Sequence, residues 1–252
     1  MTLSHDVAGD GPAVVFLHSG VCDRRMWDPQ WAVVAAAGHR VVLCDLRGFG
    51  RSPAPGRPHN DADDVLELLR TLGITRAAFI GSSYGGRVAL GIAARRPERV
   101  SALALLCPGL PGQRPSDELR GTGAREDALI EAGDLDGAAG LMVDTWVGPA
   151  ADDATRDAVR AMQRQAYELQ LAAEFDQLED AADLTAVRAP CLAVSGAHDL
   201  AEFRQIAAAL PGLLAGARHL ELPWAGHLPS MERPLEVNEL LLGFLRECLP
   251  AG

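Results

Sequence analysis

Six residues, Gly81-Ser82-Ser83-Tyr84-Gly85-Gly86, constrain this chain more than any other stretch. Before them runs Ala77-Ala78-Phe79-Ile80, a short apolar segment suited to a buried strand. After them runs Arg87-Val88-Ala89-Leu90-Gly91-Ile92-Ala93-Ala94-Arg95-Arg96, which reads as a helix rich in small residues. A G-x-S-x-G pattern between strand and helix predicts a sharp turn with Ser83 at its tip. Gly81 and Gly85 fit because so tight a turn leaves no room for side chains two positions either side of the serine. The helix behind Ser83 offers N–H groups and a partial positive charge to a developing oxyanion. Ser82, on the strand side, reads as structural.

The rest of the chain repeats the same alternation. Apolar runs at 13–17, 41–44, 100–107, 190–194 and 218–222 predict further buried strands. Helices are expected from about Arg24 to Ala37, from Asn60 or Asp61 to Thr71, from Leu200 to Leu210 and from Leu235 to Cys248. The fold class is therefore α/β, with a mostly parallel, doubly wound sheet and helices on both faces. Ligands of such sheets bind beyond the carboxyl ends of the strands. Strand signals stop between Leu110 and Ala186, where helices are expected near 124–132, 134–147 and 152–178. This stretch reads as an inserted helical cap at 111–186, with 1–110 and 187–252 forming the core. Its apolar residues Leu141, Met142, Trp146, Met162, Tyr167, Leu171 and Phe175 should mostly pack helices, with two or three facing a pocket. Val21, Met142, Trp146, Tyr167 and Leu228 are the pocket candidates, with Cys22 and Cys107 near the cleft mouth.

Composition narrows the chemistry. A net charge of −11 argues against nucleic acid or an anionic membrane as partner. All 23 basic residues are Arg, so Schiff-base chemistry, pyridoxal phosphate attachment and the P-loop lysine are excluded. The five cysteines are scattered with no C-x-x-C, which predicts reduced thiols and neither a disulfide framework nor a zinc site. No signal-peptide pattern opens the chain and no apolar run approaches membrane length, so a cytoplasmic protein is expected.

A serine at neutral pH needs an adjacent base, and that base needs a group to fix its tautomer. Downstream of Ser83, Asp199 follows the strand at 190–194 and His227 follows the strand at 218–222. The order nucleophile, acid, base suits this architecture. Asp45 precedes the serine, and its Asp-x-Arg-Gly-x-Gly setting suggests that it fixes its own loop. His198 sits on the acid's own turn, and His18 should brace the loop it begins. The loop one strand before Asp199 is Cys107-Pro108-Gly109-Leu110, without a carboxylate. Backbone N–H groups of Tyr84 and Gly20 are the expected oxyanion donors.

Taken together, His18-Ser19-Gly20, Asp45-Leu46-Arg47-Gly48-Phe49-Gly50-Arg51-Ser52, the elbow, Gly196-Ala197-His198-Asp199 and Gly226-His227 resemble the motifs of the α/β-hydrolase superfamily. The usual His-Gly pair is His18-Ser19 here, and the amino-terminal segment is short for two full strands, so a sheet lacking one edge strand is expected. Arg25-Met26-Trp27-Asp28-Pro29-Gln30 is similar to a helix start in 3-oxoadipate enol-lactonases and related small esterases. The resemblance implies a serine hydrolase of a small-molecule carboxylic ester or lactone, with no metal and no organic cofactor. The same triad also serves C–C cleavage of ring-fission products and acyl transfer to acceptors other than water, and the fold can carry a ligand receptor. Nothing in the sequence sets the oligomeric state.

Overall fold

The computed structural model describes residues 2–56, 58–173, 178 and 182–249. Its strands are β1 (His5–Ala8), β2 (Ala13–Leu17), β3 (Arg40–Cys44), β4 (Ala77–Ser82), β5 (Val100–Leu106), β6 (Cys191–Gly196) and β7 (Ala217–Leu222). They form one sheet in the order β1-β3-β2-β4-β5-β6-β7. All neighbours are parallel except β1, which runs antiparallel to β3. Among the described residues β1 is the one strand before β2, and it forms an edge of the sheet. Sequence reading missed β1 because His-Asp-Val-Ala is short, polar and half-exposed, and so lacks an apolar run.

Alternation along the inner strands builds two cores, because successive side chains point to opposite faces. Val14, Phe16, Val41, Leu43, Ala78, Ile80, Ala102 and Ala104 face one layer. Their neighbours Val15, Leu17, Val42, Cys44, Phe79, Leu103 and Leu105 face the other. Helices α1 (Asp28–Ala36), α2 (Asp61–Thr71) and α3 (Tyr84–Arg95) follow β2, β3 and β4. The first was expected to start at Arg24. Instead Arg24–Trp27 is a 3₁₀ turn, and the α-helix begins beside Pro29. A proline has no N–H to bond back into a preceding turn and its ring clashes there, so the helix starts at that point. Asn60 caps α2 by accepting from the Asp63 N–H, as its position suggested.

Among the described residues, three α-helices lie between β5 and β6: α4 (Asp117–Glu131), α5 (Leu135–Trp146) and α6 (Asp153–Gln170). The first begins seven residues before the expected start, with Ser116 as its cap. The last stops at Gln170, and Phe175, a suggested cleft residue, lies outside the described residues. Helices α7 (Ala201–Leu213), α8 (Pro229–Glu232) and α9 (Pro234–Cys248) complete the chain. All five cysteines are free thiols. Among the described residues no helix is long and apolar enough to cross a membrane. Parallel strands bring five loops to one end of the sheet, carrying Gly20, Ser83, Cys107, Asp199 and His227.

Candidate functional site

Ser83 stands at the junction of β4 and α3 with φ 50° and ψ −111°, a conformation that L-residues rarely adopt. Such strain persists only where the surroundings over-determine it. Here the Ser83 N–H donates to the Leu106 carbonyl at 2.9 Å and the Gly85 N–H to the His18 carbonyl at 3.0 Å. The Ser83 carbonyl accepts from Arg87 and Gly109, both at 3.0 Å. A Cβ at Gly81 would sit 2.6 Å from the Gly85 carbonyl oxygen, and one at Gly85 would sit 2.3 Å from that of Leu17. Both glycines are thus required by close backbone approach, as the turn demanded.

The oxyanion candidates fall beside each other. Tyr84 lies between two residues whose N–H groups are bonded to β5 and to the loop after β2. A Cβ built on Gly20 would sit 3.6 Å from the Tyr84 Cβ. The loop carrying Gly20 is fixed by His18, whose Nε2 accepts from the Leu46 N–H at 2.9 Å while Nδ1 donates to the Ser19 carbonyl at 2.8 Å. Asp45 accepts from the N–H groups of Arg24 and Arg51 and from the Arg24 guanidinium. Both residues therefore brace loops, as read from the sequence.

Asp199 and His227 come together across the ends of β6 and β7. His227 Nδ1 donates to Asp199 Oδ2 at 2.7 Å, and the Leu200 N–H donates to Asp199 Oδ1 at 2.7 Å. Both residues are buried. Donation through Nδ1 fixes the tautomer that leaves Nε2 as an acceptor. The imidazole packs against Trp146 of α5 at 4.4 Å between centroids and Phe203 of α7 at 4.5 Å. Phe203 and Ser83 also line one cleft of about 190 Å³. His198 points its backbone N–H at the Ala225 carbonyl and its residue is exposed.

Sequence reasoning missed Glu232, on the one-turn helix α8. Its carboxylate accepts from the N–H groups of Gly226 and Leu228, which flank His227, and from that of Gly148 after α5. A further bond runs from the His227 N–H to the Trp146 carbonyl at 3.1 Å. The available signal was a lone glutamate five residues past the histidine, too weak without the turn that folds it back. Burial raises the Glu232 pKa, and the three backbone donors oppose that rise. Glu232→Gln should destabilise the fold by about 1–3 kcal/mol, because an amide offers one oxygen to three donors and aims its NH₂ at one of them. The sign of the pH effect follows from the raised folded pKa. As pH rises, the unfolded chain releases this proton first, so wild-type stability falls from the ordinary glutamate range up through the folded value. Thermal melts across that window should show a flatter slope in the variant; equal melting temperatures and equal slopes would refute the clamp.

Cys107 holds φ 47° at the end of β5, and its thiol donates to the Gly226 carbonyl at 3.6 Å. Burial, and then the Asp199 charge, push its pKa well above the ordinary thiol value. It stays protonated and is no nucleophile. Cys107, Asp199 and His227 have ligand atoms close enough for a metal, as do His59, Asp61 and Asp64. The protonated thiol and the His227–Asp199 bond do not suit the first set. In the second, Asp64 forms a forked pair with Arg47, and Asp61 accepts from the Tyr84 hydroxyl.

The suggested pocket residues divide. Trp146 stands against His227, with its Nε1 donating to Met142 Sδ at 3.3 Å. Val21, Met142 and Leu228 are buried in the core cluster of that face. Tyr167 packs among the inserted helices and donates to Glu126. One cleft beside Ser83 is lined by residues such as Arg87, Leu110, Leu119, Phe203 and Ile206.

Comparison with known proteins bears on this geometry. The family model of the alpha/beta hydrolase fold matches residues 12–234. An epoxide hydrolase of Caballeronia sordidicola is 28% identical over 94% of this chain and 88% of its own. A 2-hydroxy-6-oxo-6-phenylhexa-2,4-dienoate hydrolase of Comamonas testosteroni is 35% identical, over 42% of this chain and 40% of its own. The enol-lactonase of Burkholderia xenovorans LB400 superposes with a TM-score of 0.80 at 28% identity, covering 96% of both chains. The elbow, the strand order and the match over most of the chain agree: this protein is a hydrolase of the α/β-hydrolase fold family.

Proposed function

We propose that the protein is a serine hydrolase of carboxylic esters or lactones that works through an acyl-enzyme, with 111–186 acting as its cap. The observation that carries this reading is the 2.7 Å bond from His227 Nδ1 to Asp199, formed by the loops after β6 and β7 at the end of the sheet that carries the elbow serine. Ser83 Oγ attacks the substrate carbonyl carbon and passes its proton to His227 Nε2. The carbonyl oxygen becomes an oxyanion held by the N–H groups of Tyr84 and Gly20. Asp199 stabilises the imidazolium, which then protonates the departing alkoxide as the C–O bond breaks. In a lactone the alkoxide stays tethered to the acyl group. Water next attacks the acyl-enzyme, its proton goes to His227, and collapse returns that proton to Ser83 Oγ. None of these steps calls on a metal or an organic cofactor. Five free thiols favour a reducing compartment, and we infer a cytoplasmic location.

Two relatives' activities are weighed against this chemistry. Opening an epoxide with Ser83 would leave an ether on the enzyme, which water does not hydrolyse under these conditions, so turnover would stop. An elbow carboxylate would instead give a cleavable ester, and this elbow carries a serine. The C–C hydrolase is the better alternative, because a ketone carbonyl can accept the same attack. A panel of aryl esters, simple lactones, a vinylogous diketone acid and styrene oxide separates these readings. We expect turnover of esters or lactones at least tenfold above that of the diketone acid, and none of the epoxide. Preferential cleavage of the diketone acid would reverse the assignment.

A further inference from the structure

We propose that Met26 is a positioning residue for the oxyanion hole, its thioether sulfur holding the loop that presents the Gly20 N–H; this rests on Gly20 serving as an oxyanion donor. The Ser19 N–H donates to Met26 Sδ at 3.2 Å. Both residues are buried, so solvent offers that N–H no alternative. A thioether is a weak acceptor, yet a buried N–H left without any acceptor carries the whole cost of its desolvation. The chain folds back on itself to bring the sulfur there. The Cys22 N–H donates to the Ser19 carbonyl at 3.1 Å and the Met26 N–H to the Asp23 carbonyl at 3.0 Å. The Asp23 side chain caps the turn Arg24–Trp27. Trp27 packs on Phe16 of β2 at 5.0 Å between ring centroids, which ties that turn to the sheet.

The consequence runs through two consecutive peptide planes. A trans peptide is planar, with its C=O and N–H pointing opposite ways. In the His18–Ser19 peptide the carbonyl accepts from the Gly85 N–H of the elbow at 3.0 Å, and the N–H is the one held by Met26. In the Ser19–Gly20 peptide the carbonyl accepts from His18 Nδ1 at 2.8 Å as well as from Cys22. The Gly20 N–H points the other way from that plane and makes no bond among the described residues, and Gly20 is half-buried where Ser19 is enclosed. The other polar groups of the two planes are thus bonded within the protein, and the remaining N–H is aimed by them. An oxyanion donor acts by being in place before the charge develops. Met26 therefore affects turnover through Ser19, without touching substrate.

The test separates the sulfur from the shape of the side chain. Met26→Leu keeps the volume and removes the acceptor. Its kcat/KM on 4-nitrophenyl acetate should fall about tenfold, less than the roughly 10²–10³-fold cost of losing a donor outright, because the Gly20 N–H stays and only its aim is loosened. Affinity for 1,1,1-trifluoro-2-butanone, whose hemiketal with Ser83 carries the oxyanion, should fall by the same factor. The substitution is then repeated in protein grown with norleucine, which replaces every methionine sulfur by a methylene. There it should change kcat/KM by less than about twofold, since the bond is already gone. An equal effect in both backgrounds would assign the loss to shape and overturn the proposal, as would a kcat/KM of Met26→Leu within about threefold of wild type. Should the leucine variant not fold, the norleucine protein is compared with wild type directly. A parallel loss of about tenfold in turnover and ketone affinity supports the sulfur's role, and changes within about threefold refute it. If wild type neither hydrolyses the ester nor binds the ketone, the serine reading fails and the role of Met26 with it. If wild type does both and Met26→Leu matches it, the serine reading stands and the role of Met26 fails.

Discussion

Ser83→Ala should lower turnover of an activated ester by about 10⁴-fold or more, with the fold intact. The size follows from what is removed. Without Oγ no acyl-enzyme forms, and only the oxyanion donors and binding remain to help a direct attack by water. The fold should survive because alanine and serine share the Cβ that strains a residue at φ 50°, and the elbow's other bonds are made by backbone. Ser82 provides the control. It is buried on the strand side, and its hydroxyl has no hydrogen-bond partner among the described residues. Ser82→Ala should therefore stay within a few-fold of wild type. Steady-state rates on 4-nitrophenyl acetate, with circular dichroism as a check on folding, decide the matter. More than about 1% residual activity in Ser83→Ala would reject the assignment, since a nucleophile's loss is far larger than that.

The elbow could be read from the sequence because its demands are local. Backbone crowding at Gly81 is set within five residues, by Gly85 and Gly86, and the flanking strand and helix carry their own apolar patterns. Asp199 and His227 were legible for a related reason: each closes an apolar strand, and parallel strands deliver such positions to one end of the sheet. What stayed hidden depended on contacts between distant segments. Glu232 looks like any surface glutamate until Gly226, Leu228 and Gly148 surround it. Phe203 occupies one position on a helix, and only the docking of α7 sets it against His227. The pocket candidates came from hydrophobicity alone, which cannot distinguish a wall from a core. Val21, Met142 and Leu228 are buried in the cluster that covers one face of the sheet, and Trp146 lies against the imidazole.

Asp199→Asn should cost about 10³–10⁴-fold in kcat at neutral pH while leaving KM nearly unchanged. The neighbouring bonds determine how the new amide turns. Asp199 Oδ1 accepts from the Leu200 N–H at 2.7 Å, a bond that only the amide oxygen of asparagine can keep. The NH₂ group is then aimed at His227 Nδ1, where the carboxylate accepted a proton before. An N–H donor facing Nδ1 selects the tautomer protonated on Nε2, which cannot take the proton from Ser83. The imidazolium also loses the negative charge that stabilises it in the transition state. Cys107 offers no substitute, although its sulfur lies close to both residues, because burial and the adjacent acid hold it as a neutral thiol. The decrease should therefore persist in the presence of Cys107, and the asparagine variant should fold, since its amide fills the same volume. Kinetics of an activated ester at fixed pH measure the effect. A decrease smaller than about tenfold would mean that another group orients His227, and the pairing of Asp199 with the base would have to be abandoned.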